Sequence, residues 1–110
     1  MKEFRSFLET DQFVITSELE PPKGIDLCKT LEYAKSLEGR VHAVNITDSP
    51  MANMRMSPIA VAHVVRQETD LDAIFHLTCR DRNIIGLQSE LLGAYALGIK
   101  TILILTGDHP

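Results

Sequence analysis

Apolar residues along this chain follow two alternating rhythms. Short apolar and β-branched runs occupy residues 13–18, 41–47, 72–79 and 101–106 and predict four strands. Between them the spacing becomes helical. Over residues 26–38, Leu27, Leu31, Ala34 and Leu37 share one face, and Gly39 stands ready to end the helix. Ser57 is placed as an N-cap before a first-turn proline, Pro58, and "IAVAHVVRQ" continues that helix. Asp81 is expected to cap a third helix over residues 82–97, closed by Gly98, while Phe4, Phe7 and Leu8 suggest a short leading helix. The order β-α-β-α-β-α-β implies parallel strands joined by right-handed crossovers.

Two architectures fit that order: an open four-stranded α/β sheet, or half of a (β/α)₈ TIM-type barrel. A whole barrel takes about 250 residues. With 110 residues and a fourth strand ending near position 106, residues 1–110 are expected to form a single partial domain, the N-terminal half of a barrel.

Composition narrows the function classes. A hydrophobic content of 45% with mixed charge describes a globular chain, and a net charge of −4 without a clustered basic patch argues against nucleic acid or a membrane surface. The opening "MKEFRSFLET" interleaves charges with apolar residues, unlike a signal peptide or a span. Cys28 and Cys79 lack CxxC spacing and are expected as reduced, partly buried thiols of a cytoplasmic protein.

Candidate chemistry gathers where the strands end. Residues i and i+2 of a strand share a face. On that rule the strands offer Thr16 and Glu18, Asn45 and Thr47, His76 and Thr78, and Thr106 with Asp108 just beyond the fourth. The other phase, Phe13/Ile15, Val44/Ile46, Phe75/Leu77 and Leu103/Leu105, is apolar and suits a face covered by helices. Strand ends meet polar loops in any protein, but four polar pairs in one register coincide with the rim where parallel α/β folds bind ligands.

Glu18 and Asp108 bring two carboxylates to that rim, suited to general acid work if apposed and desolvated; either could equally cap a loop or pair with a base. Pro21-Pro22 fixes the backbone after Glu18. His76 and Cys79 fall on opposite strand faces, so no metal site is expected. His42 and His63 read as structural, and the methionine-rich segment 47–58 as either a substrate-covering loop or core filling. No GxGxxG, GxxxxGK[ST] or GxSxG occurs.

Taken in order, "TSELEPPK", "TD", "HLTCRDRN" and "ILTGD" resemble the methylenetetrahydrofolate reductase family across the whole chain. The resemblance implies the first half of a barrel that binds FAD at its C-terminal rim. It implies a flavin-dependent oxidoreductase that uses NADH or NADPH to reduce 5,10-methylenetetrahydrofolate to 5-methyltetrahydrofolate. By the same resemblance Glu18 is the general acid, and Asp108 is the acid near flavin and pterin. Thr47, His76, Leu105, Thr106 and Gly107 match positions that contact FAD. The chain departs from many relatives in carrying Leu19-Glu20 in place of two aromatics and Thr106 in place of Arg. A homo-oligomer, or a partner chain that completes the barrel, is expected. Two alternatives stand beside the enzyme reading: a non-catalytic flavin- or folate-binding module, and an inactive fragment.

Overall fold

Strands and helices alternate along residues 2–109, the part described by the computed structural model. They are α1 (Phe4–Leu8), β1 (Thr16–Leu19), α2 (Cys28–Ser36), β2 (Ala43–Ile46), α3 (Pro58–Glu68), β3 (Asp72–Thr78), α4 (Ile84–Ala96) and β4 (Thr101–Leu105). A single 3-10 turn at Pro50–Ala52 precedes α3. The strands lie in the order β1-β2-β3-β4, all parallel. Sequential parallel strands with a helix between each pair are the arrangement of half a (β/α)₈ barrel.

The core lies between the sheet and α2 and α3. Along α3 the buried residues Pro58, Ile59, Val61, Ala62 and Val65 follow helical spacing and meet Val44, Ile46, Phe75 and Leu77 on one face of the sheet. Burying each larger side chain contributes about 1.5–3 kcal/mol. Every residue of β3, one of the two inner strands, is buried. Beyond α3, the Thr69 hydroxyl donates to the Val65 carbonyl at 2.7 Å, while Arg66 donates to the Gly98 carbonyl and pairs with Asp72 at 3.3 Å.

Several elements are shorter than the pattern predicts, and each has a local cause. The first strand starts at Thr16 because β2 pairing begins there, opposite Ala43. Upstream, His42 stands in for a strand neighbour. Its Nδ1 lies 2.9 Å from the Ile15 amide, and its own amide donates to the Ile15 carbonyl at 2.8 Å. Phe13 is consequently 85% exposed, and neither it nor Ile15 lies beneath a helix as expected. Asn83, not Asp81, caps α4: its Oδ1 accepts from the Gly86 amide at 2.7 Å, while Asp81 pairs with Arg80 at 2.8 Å. Ser57 occupies the N-cap position of α3, but its side chain makes no capping bond. Cys28 and Cys79 are free and exposed rather than partly buried.

The larger correction concerns β4. Register places His76 opposite Leu103 and Thr78 opposite Leu105. Paired residues of parallel strands face the same way, so Leu103 and Leu105 share the face of His76 instead of the helix side. Ile102 packs on the helix-side core, and Ile104 has the same orientation but is 78% exposed. Among the described residues, β1 and β4 pair on one side only. No helix among these residues is long and apolar enough to cross a membrane.

Candidate functional site

The ends of β2, β3 and β4 line an open cavity of about 240 Å³. Thr47, Asp48 and Pro50 line it after β2, His76, Thr78 and Arg80 from β3 and its loop, and Leu105, Thr106, Gly107 and Asp108 from β4 and its loop. All six residues expected at a cofactor, Thr47, His76, Leu105, Thr106, Gly107 and Asp108, are among its walls. Gly107 makes the close wall possible. Its φ is +94°, and a Cβ there would stand 3.1 Å from Arg80 Cβ and 3.2 Å from Thr78 Cβ.

Two hydroxyls in this wall have no partner. Thr47 Oγ1 and Thr78 Oγ1 are buried and make no hydrogen bond within the protein. Buried polar atoms are normally satisfied, and an orphan costs about 1–3 kcal/mol. Both oxygens are sealed from solvent, so a side chain would have to turn before a ligand in the cavity could reach it.

Asp48 holds the cavity floor together. Its Oδ2 accepts from the Thr78 amide at 2.9 Å and from Arg82 Nη1 at 2.6 Å, and its Oδ1 from Arg82 Nη2 at 3.2 Å. Arg82 also donates to the Thr78 carbonyl at 2.9 Å. Burial pushes the Asp48 carboxyl up, but the Arg82 guanidinium and the Thr78 amide outweigh it and hold the group below the usual carboxylate range.

A polar row crosses the same sheet face. Asn45 Nδ2 donates to Thr16 Oγ1 at 2.7 Å, and His76 Nε2 lies 3.4 Å from Asn45 Oδ1. Burial lowers the His76 pKa below its ordinary value, against the opposing pull of the Glu18 and Asp48 charges. The imidazole is therefore a neutral hydrogen-bonding group at physiological pH.

Glu18 stands in register with Asn45 on this face, exposed, and outside the cavity wall. It and Asp108 are carried by opposite edges of the sheet. Three strand spacings of about 4.8 Å put roughly 14 Å of sheet between them, so they are not apposed acids. Asp108 instead accepts from the Met51 amide at 2.6 Å through Oδ2. Pro21 is fully buried and its carbonyl accepts from Arg55 at 3.0 Å, while the Pro22 carbonyl accepts from the Met56 amide at 2.8 Å. The two prolines thus anchor the loop that follows β2. Of its methionines, Met51 and Met54 are exposed and Met56 packs on the core.

Asp48, Arg80 and Arg82 are site residues that the sequence reading passed over. Asp48 follows Thr47 directly, and both arginines lie within "HLTCRDRN", so the signal was a charged run beside the strand ends. Among the described residues no cluster of His, Cys, Asp and Glu is arranged to hold a metal ion. The family model described as methylenetetrahydrofolate reductase matches residues 3–110. No curated protein matches the chain.

Proposed function

The chain belongs to the methylenetetrahydrofolate reductase family, and on that premise we propose that it carries half of a flavin-dependent folate-reducing active site. The reaction is reduction of 5,10-methylenetetrahydrofolate to 5-methyltetrahydrofolate at the expense of NADH or NADPH, in the cytoplasm. The observation that carries this reading is a cavity walled by the six residues matching the family's FAD contacts.

Those residues suit a flavin. Neutral His76 offers a hydrogen bond without added charge, Leu105 an apolar surface, and Gly107 an approach free of side chain. FAD when bound supplies hydride transfer between nicotinamide and folate. Drug-sized ligands occupy about 300–1,000 Å³, so a cavity of about 240 Å³ takes one portion of a dinucleotide. The remaining walls come from four further strands on the open edges of β1 and β4, supplied by a second copy or a partner chain. Glu18 donates the proton that opens the folate's five-membered ring, and Asp108 sets the charge beside the flavin and pterin. Exposure of Glu18 on the barrel-side face leaves its carboxyl open to a substrate.

The test is purification of the protein, with any chain that co-purifies, and measurement of visible flavin absorbance and of NADH turnover with a quinone acceptor. Colour with turnover supports the reductase. Colour without turnover would make the protein a flavin-binding module, and a colourless protein that does not bind added FAD would refute the reading.

A further inference from the structure

We propose that Arg80 is the positioning residue of this site, acting through Asp108. The inference deepens the flavin reading and rests on it for its functional consequence.

The segment after β2 is strained. Ser49, Met51 and Ala52 have φ values of 43°, 58° and 57°, a left-handed conformation that non-glycine residues avoid. Such a conformation persists only where its surroundings enforce it. The enforcement comes from two side chains. Asp108 Oδ2 accepts from the Met51 amide at 2.6 Å, and Arg80 Nη2 donates to the Ser49 carbonyl at 3.1 Å. Arg80 also reaches the other partner of the strained segment, because Nη1 donates to the Asp108 carbonyl at 3.2 Å.

One guanidinium therefore ties the β2 loop to the β4 loop. Its plane is fixed in turn by Asp81, 2.9 Å from Nε, and the Arg80 side chain is only 9% exposed. Gly107 admits the arrangement by bringing the β4 loop within contact of the Arg80 stem. A planar fork with several donors can serve three acceptors at once, which the single ammonium of lysine cannot do in the same geometry. Arg80 touches Asp108 through its backbone, so its effect on chemistry is to fix where the Asp108 carboxylate stands.

The experiment compares wild type, Arg80→Met, Asp108→Asn and the double variant, each as the full chain. Tryptic cleavage after Arg55 reports release of the strained loop without any ligand, and Arg80→Met should accelerate it roughly tenfold. With FAD bound, Arg80→Met should shift the flavin midpoint potential in the wild-type background and leave it unchanged in the Asp108→Asn background. Equal shifts in both backgrounds, or unchanged cleavage and potential, would overturn the proposal. If wild type fails to bind added FAD, the flavin reading falls and the cleavage rates alone decide the clamp. Should Arg80→Met not fold, Arg80→Lys, which keeps the charge without the fork, takes its place with the same expected outcomes.

Discussion

The Asp48 carboxylate meets the Arg82 guanidinium on both oxygens, 2.6 Å and 3.2 Å away, where β2 and β3 leave the sheet. Both side chains are largely withdrawn from water. Planar two-point pairing of this kind is strong once desolvated, and removing one member leaves a charge buried without compensation.

Asp48→Asn should therefore destabilise the protein by about 2–3 kcal/mol. Urea unfolding measures it, and a loss within about 0.5 kcal/mol, the range of ordinary surface changes, would show the pair to be dispensable. Because the folded carboxyl titrates below its unfolded value, its contribution is complete above the unfolded pKa. It is lost as pH falls through the lower, folded pKa. The wild-type advantage over Asp48→Asn should accordingly persist at neutral pH and disappear only in strong acid.

Glu18→Gln keeps the side chain's shape and removes its proton. On the proposed flavin reading, the folate half-reaction should slow by roughly a hundredfold or more. Reduction of the flavin by nicotinamide needs no such proton and should change little. Stopped-flow measurement of the two half-reactions separates them, and equal losses in both would remove Glu18 from the proton-donor role.

His76 gives a pH dependence of opposite origin. Burial lowers its folded pKa, while in the unfolded chain it titrates near about 6.5. As pH falls below that value the unfolded state takes up the proton first, so stability should decline until the folded imidazole also protonates. His76→Gln should flatten this decline between neutral pH and pH about 5 in parallel urea titrations. A variant with the wild-type slope would place the titrating group elsewhere.

The strand and helix sequence was readable because each helix carries one apolar face and each strand run is short and bounded. Phase was readable only where one face is polar. In β2 and β3, Asn45 and His76 interrupt the apolar residues and mark the site side. The run "TILIL" in β4 is apolar in both phases apart from its first threonine, so its pattern does not tell which side Leu103 and Leu105 take. Pairing with β3 decides it, and that is a tertiary fact. Likewise Asp81 and Asn83 are both good caps by type. Asn83 caps α4 because Asp81 is drawn to Arg80. The cofactor positions came from motif resemblance, whereas the Asp48–Arg82 pair joins residues 34 apart and carries no local signature.

The 110-residue chain should not persist as a lone monomer. The outer edges of β1 and β4 present backbone N–H and C=O groups without a neighbouring strand among the described residues. Beside the β4 edge, Leu103, Ile104 and Leu105 are exposed, and α4 adds Ile84, Ile85 and Leu92. Each large aliphatic group left in water forgoes about 1.5–3 kcal/mol of burial. A few of them together match the roughly 5–15 kcal/mol that separates folded from unfolded domains. Covering the open edges therefore recovers an appreciable part of that margin. Two copies related by a twofold axis can set β4 of each against β1 of the other, which preserves the parallel order and closes eight strands. The isolated chain should form a dimer, or aggregate where the register fails, and bind FAD weakly. Sedimentation velocity at micromolar concentration reads the state directly, and a well-folded monomer saturated with FAD would contradict it.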